Sequence, residues 1–190
     1  MTLELVSLLI LGVIWGTSLS SKGRSLLARY HWRVFSLSVF TLFSCAAYRG
    51  FLLYRATYEH PIGKFFDIEY FLIFRVGVQF FAPYILSFIT AILFMLVAAR
   101  YNKKYAERFF EKEEIKMGGL SLLLVGHPGW IFYFPLVIFV YLMLHIYYQI
   151  KRGQGHRIPV YHLWVPTAIF VILISKYWLS SSAIWFLLKL

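Results

Sequence analysis

The chain has 190 residues, of which 61% are hydrophobic and 14% charged, with a formal net charge of +11. A water-soluble domain of this size is nearer half apolar and a quarter charged, so a compact aqueous fold is excluded and lipid is the expected solvent. The bases cluster between apolar runs, which makes anionic lipid headgroups, and not nucleic acid, their expected partner.

The first apolar run, Leu3 to Leu19, contains Glu4 and is followed by its bases. That order fits a retained span better than a cleaved signal. Its "GVIWG" places Gly12 and Gly16 at a spacing that lets two helix backbones approach closely. The second run, Val34 to Tyr54, holds Cys45, the single cysteine, so an intrachain disulfide and a cysteine-based metal cluster are excluded. Arg49 and Arg55 flank "GFLLY" and are expected to snorkel to the interface.

The stretch "GKFFDIEYFLIFR" sets Asp67, Glu69 and Arg75 among apolar residues. Two residues apart, Asp67 and Glu69 do not share a helix face. The expected form is an amphipathic helix on the membrane surface with its acids in water. The third run, Gly77 to Ala99, carries no charge and is about long enough to cross a hydrocarbon core of roughly 30 Å. After it comes "RYNKKYAERFFEKEEIK". It reads as a charged helical connection over residues 100–117 outside the bilayer, in which Glu107 and Arg108 stay solvated.

"GGLSLLLVGHP", Gly118 to Pro128, is too short to cross alone. It is expected either to re-enter the membrane or to extend the fourth helix across a break at Pro128–Gly129. His127 stands at that break, where freed backbone groups can bind a substrate or ion. The plainer form is a surface turn with Trp130 as an interface anchor.

The fourth and fifth runs, Trp130 to Ile150 and Ile158 to Ser175, flank a basic glycine-containing loop. In an antiparallel hairpin, His145 and His162 reach a similar depth, roughly 8 to 9 Å below that loop. Facing each other, they could ligate a haem iron, share a metal or pass a proton. Otherwise each bonds a neighbour, such as Tyr141 or Tyr148 for His145. The C-terminal "YWLSSSAIWFLLKL" lies in the interface with Trp178 and Trp185 as anchors, or forms a sixth partial pass.

None of these runs alternates as a barrel strand does. The expected fold is therefore all-α, an integral membrane helical bundle of about five transmembrane helices plus short re-entrant or interfacial segments, forming one domain over residues 1–190. Basic residues follow the first span (Lys22, Arg24, Arg29, Arg33) and the third (Arg100, Lys103, Lys104, Arg108, Lys112, Lys116). Both groups are cytoplasmic if the N-terminus lies outside. Lys151, Arg152 and Arg157 then fall outside, unless "GGLSLLLVGHP" and its neighbour form a hairpin that reverses the count.

Several short stretches resemble prepilin peptidases, multi-pass membrane aspartyl proteases. They are "GVIWGTS", "GRS" at Gly23 to Ser25, "RG" at Arg49–Gly50, and "RIPVYHLWVP" at Arg157 to Pro166. That family works with two aspartates, one of them in a G-x-G-D motif. This chain has a single aspartate, Asp67, and its nearest stretch reads "GGLS", Gly118 to Ser121. The resemblance therefore implies at most a degenerate relative, and it transfers no catalytic residue.

No P-loop, G-x-S-x-G, H-E-x-x-H or dinucleotide fingerprint is present. The leading expectation is a non-catalytic structural or assembly subunit with membrane-protein partners, needing no metal or cofactor. One alternative is a small membrane enzyme on a lipid or membrane-embedded substrate, with His127, Asp67, Glu69 and Arg75 as its polar cluster. The other is a redox or transport subunit that uses His145 and His162, with haem as the cofactor.

Overall fold

A computed structural model describes residues 3–59, 67–105, 110–152 and 161–182, together with Trp185 and Leu188. Among them there is helix and no strand. In chain order the elements are α1 (Leu3–Ser18), α2 (Ser21–Glu59), α3 (Ile68–Tyr70), a π-helical stretch (Phe71–Phe81), α4 (Ala82–Lys104), α5 (Lys112–Val125), α6 (Gly129–Arg152), α7 (Tyr161–Tyr177) and a 3₁₀ turn (Leu179–Ser181). From α3 to α4 the chain is one continuous rod. The all-helical bundle expected from composition is what forms.

Four helices are long and apolar enough to cross a membrane: Ser21–Glu59, Phe71–Lys104, Gly129–Lys151 and Tyr161–Ser181. The run expected as a first span is a shorter apolar helix, α1. Gly12 and Gly16 on it are exposed, and a Cβ at either would meet nothing within 4 Å. Their close-approach face is thus unused inside the chain.

The charged connection does not extend the third rod as a single helix. Instead α4 ends at Lys104, and the chain returns. Asn102 clamps the return: its side-chain amide donates to the Phe110 carbonyl (2.7 Å) and its oxygen accepts from the Phe110 N–H (3.0 Å). Glu111 then caps α5 in a reciprocal box with Glu114. Glu107 and Arg108 lie outside the described residues.

This turn makes α5 the centre of the bundle. It packs against α4, α7, α1, α2 and α6. Every residue from Met117 to Leu124 is buried. Two adjacent glycines allow that position. A Cβ on Gly118 would sit 2.8 Å from the Phe94 ring, and one on Gly119 would sit 2.5 Å from Met95 Cγ. Small residues at both points let the side chains of Phe94 and Met95 on α4 and Trp164 on α7 pack directly against the α5 backbone.

α5 is a helix separate from α6, and it runs alongside α4. Its N-terminal flank is held at Asn102 of α4. At the other end, the His127 N–H donates to the Pro83 carbonyl at the start of α4 (3.2 Å). Pro83 and Asn102 are roughly 28 Å apart along α4 at 1.5 Å per residue. The chain therefore traverses the bundle end to end between Phe110 and His127, with only the middle of that path helical.

The traverse also sorts the charges. The basic residues Lys22, Arg24, Arg29 and Arg33 of α2, Arg100, Lys103 and Lys104 of α4, Lys112 and Lys116 of α5, and Lys151 and Arg152 of α6 all belong to one end of the bundle. At the opposite end, Arg49, Arg55, Arg75 and Lys176 are matched by Glu4, Glu59, Asp67 and Glu69. With α5 taken as a pass through the bundle, as in the hairpin alternative, Lys151 and Arg152 fall at the same end as the other bases. Arg157 lies outside the described residues.

Glu114 fastens the basic end. It is fully buried, and its carboxylate accepts from two helix N-termini. The Glu111 N–H of α5 donates at 2.8 Å and the Tyr161 N–H of α7 at 3.1 Å. Both N–H groups lack an intrahelical acceptor. Glu114→Ala leaves them unpaired in a part-buried site, at a cost of about 1 kcal/mol. Unfolding in mild detergent should show Glu114→Ala clearly below the parent and Glu114→Gln, which keeps one acceptor oxygen, in between. Equal stability of all three would refute this role.

Candidate functional site

The end opposite the bases holds a half-open cavity of about 310 Å³. Two breaks in helical geometry shape it. In the rod before α4, the chain runs in π-helical register from Phe71 to Phe81. Pro83 has no N–H to give to the Gln79 carbonyl, so one α-type bond is missing where this stretch passes into α4. Such widened turns recur at functional sites, and here the stretch contributes Gln79 and Phe80 to the wall.

The second break is "VGHPG" between α5 and α6. Gly126 has φ +75°, a conformation that side-chain-bearing residues rarely adopt. It turns the chain so that His127 enters the cavity wall. Sequence reasoning singled out His127 at this break, and the structure places it in the cavity.

The His127 Nε2–H donates to the Leu188 carbonyl at 2.7 Å. In the neutral ring this leaves Nδ1 as a bare acceptor. Nδ1 is buried and makes no hydrogen bond among the described residues. Trp185 stacks on Phe132 of α6 at 5.9 Å and also lines the cavity. The described part of the C-terminal segment thus folds back over the helix break, and Trp185 is a packing residue here. Trp178, the other expected anchor, is exposed.

The remaining polar lining comes from four other elements: Glu4 of α1, Arg49 of α2, Ser175 of α7 and Ser180 of the 3₁₀ turn. Arg49, expected to snorkel to the interface, lies over the Phe80 ring, 5.1 Å from its centroid. Ser175 is 9% exposed, and its Oγ makes no hydrogen bond among the described residues. Leu3, Phe80, Pro83, Val125 and Ile172 supply apolar wall. Sequence reasoning missed Glu4, Arg49, Gln79 and Ser175 as site residues. Only the two charges, each set in an apolar run, gave a signal that could have found them.

The other expected candidates do not join His127. Asp67 and Arg75 are exposed and do not line the cavity. Asp67 precedes α3, several turns before Pro83 on the same rod. Glu69 lies in α3, and its side chain is outside the described residues. Arg55 pairs with Glu59 on its own helix.

The two histidines of the presumed hairpin are not brought together. The Tyr133 hydroxyl donates to the Trp164 carbonyl at 2.9 Å, which sets the register of α6 on α7. His162 lies two residues before Trp164, whereas His145 lies twelve residues beyond Tyr133. Along the axes the two differ by roughly 15 Å at 1.5 Å per residue. One haem iron cannot take both. His145 stacks on Tyr141 (5.8 Å) and bonds Gln149 (2.8 Å), while His162 is exposed beside Tyr161. No group of three or more metal-ligating side chains occurs among the described residues.

A further histidine is buried at the basic end. His31 is packed against Trp32 and Phe35 and faces a small space lined by Glu113, Lys116 and Tyr161. The stretch compared with the aspartyl-protease motif, Gly118 to Ser121, is buried in α5 and carries no acid. Comparison with protein-family models, with curated proteins and with solved structures finds no match.

His127→Phe keeps a ring but removes the donor to Leu188, a loss of about 1 kcal/mol. Hydrogen exchange of the full chain in detergent should then rise several-fold around Trp185 and Leu188 while α4 and α5 stay protected. Unchanged exchange at Leu188 would show that the contact does not hold the segment.

Proposed function

We propose that the chain is a multi-pass membrane protein with its basic end toward the cytoplasm, acting as a non-catalytic subunit that binds a second membrane protein through α6. The charge asymmetry supports the orientation, since bases favour the cytoplasmic side of a membrane. The observation that carries the subunit role is the outer half of α6.

α7 begins only about one turn before Trp164, whereas α6 runs about five turns beyond Tyr133. From Ile138 to Ile150 no residue of α6 is buried. Ile138, Phe139, Leu142, Met143, Ile146 and Ile150 are exposed, the last 83% so. Lipid alone could cover such a surface. It would not favour the polar row at Tyr141, His145 and Gln149, which share one helix face at i,i+4 spacing. Polar side chains on an apolar helix are better satisfied by a neighbouring helix than by hydrocarbon. The outward Gly12 and Gly16 of α1 offer a second close-contact face.

The test is purification in a mild detergent, with a photo-crosslinking residue at Met143 or Ile146. A partner of one defined mass in stoichiometric amount is expected, captured from these positions and not from Phe40, which is exposed on α2. The double substitution His145→Leu, Gln149→Leu should lower partner recovery at least several-fold without lowering the stability of the chain. A monodisperse protein with no adduct from α6 would overturn the reading.

A further inference from the structure

The cavity at the helix break calls for an occupant, and its polar groups specify what kind. We infer that it binds the polar head of a phosphate-bearing amphiphile that also carries a hydrogen-bond donor, such as an ammonium or hydroxyl. The inference stands apart from the subunit role and requires no catalysis.

Three groups carry it. Among the described residues, Arg49 lies within salt-bridge distance of no carboxylate. A half-buried guanidinium without a carboxylate in salt-bridge range is favoured by an anion, and its planar fork of donors suits phosphate. Ser175 supplies a hydroxyl from α7 that is 9% exposed and unpartnered among the described residues. A hydroxyl can donate to an anionic oxygen. Buried polar atoms without partners are costly, so a ligand that satisfies both is favoured.

The third group sets the specificity. With Nε2–H given to Leu188, the neutral His127 ring presents its buried Nδ1 as an acceptor. Glu4, on the exposed side of the lining, is also an acceptor. A bare anion satisfies Arg49 and Ser175 but gives nothing to these two. A head that joins an anionic phosphate to an ammonium or hydroxyl satisfies all four. Leu3, Phe80, Pro83 and Ile172 would border the apolar part of the same molecule. The volume, about 310 Å³, is at the lower end for ligand pockets and suits a head better than a whole lipid.

The test uses the full chain, delipidated in mild detergent, with thermal unfolding and native mass spectrometry as readouts. The probes are phosphatidylethanolamine, phosphatidylglycerol and phosphatidylcholine of identical acyl chains, with free phosphoethanolamine and glycerol phosphate beside them. The first two lipids should raise the unfolding temperature by several degrees and stay bound. Phosphatidylcholine, whose head has no donor, should do neither. A free head that binds as tightly as its lipid would identify a soluble phosphoester as the ligand and still support the site. Arg49→Gln and Ser175→Ala should each weaken binding at least tenfold, while Arg55→Gln, outside the cavity, should not. If Arg49→Gln fails to fold, Ser175→Ala decides. Equal binding of all three lipids, or full binding by Ser175→Ala, would overturn the inference.

Discussion

Where α5 can lie decides most of this structure. A short apolar helix with two adjacent glycines is placed inside the bundle, with α4 and α7 closed over Gly118 and Gly119. Neither end of such a helix can be left bare, because buried N–H and C=O groups must find partners. At the basic end the Glu114 carboxylate serves two helix N-termini, and Asn102 holds the incoming chain. At the other end the His127 N–H reaches the Pro83 carbonyl. These ties make fourteen residues of helix serve as a complete traverse.

Two consequences follow from that traverse. One is electrostatic: with α5 counted, the bases of the first turns of α2 and those of α4, α5 and α6 gather at one end, and the opposite end has acids to match its bases. The other is the cavity. Because α5 stops at Gly126 and the chain must turn through positive φ before α6, a concavity opens between the end of α5, the π-helical stretch, and the ends of α1 and α7. The same helix that organises the charge thus leaves the space in which Arg49, His127 and Ser175 converge.

The sequence made the bundle legible in outline. Uncharged runs such as Gly77 to Ala99 have one stable form in hydrocarbon, and the break at "VGHPG" was visible in its glycines and proline. The role of α5 was not. Its apolar run is short, and the charges of "EKEEIK" looked solvated until Glu114 proved to be a buried acceptor for α7, forty-seven residues away. The pairing of His145 with His162 failed for a related reason. It assumed that α6 and α7 end together, whereas the Tyr133–Trp164 contact lets α6 run well past the start of α7. Of the cavity, His127 was marked by its helix break. Arg49 was seen but assigned to the interface, and Ser175 gave no local signal, because its importance comes from what lies across from it.

Whether α5 runs from one face of the membrane to the other is read by side-specific labelling in sealed vesicles. In a Cys45→Ser background, single cysteines would replace Lys104, Lys151 and, in a third variant, Arg55. An impermeant thiol reagent should reach Lys104→Cys and Lys151→Cys from the same face and Arg55→Cys only from the other. Labelling of Lys104→Cys and Lys151→Cys from opposite faces would mean that α5 does not cross, and the account of the fold would fail with it.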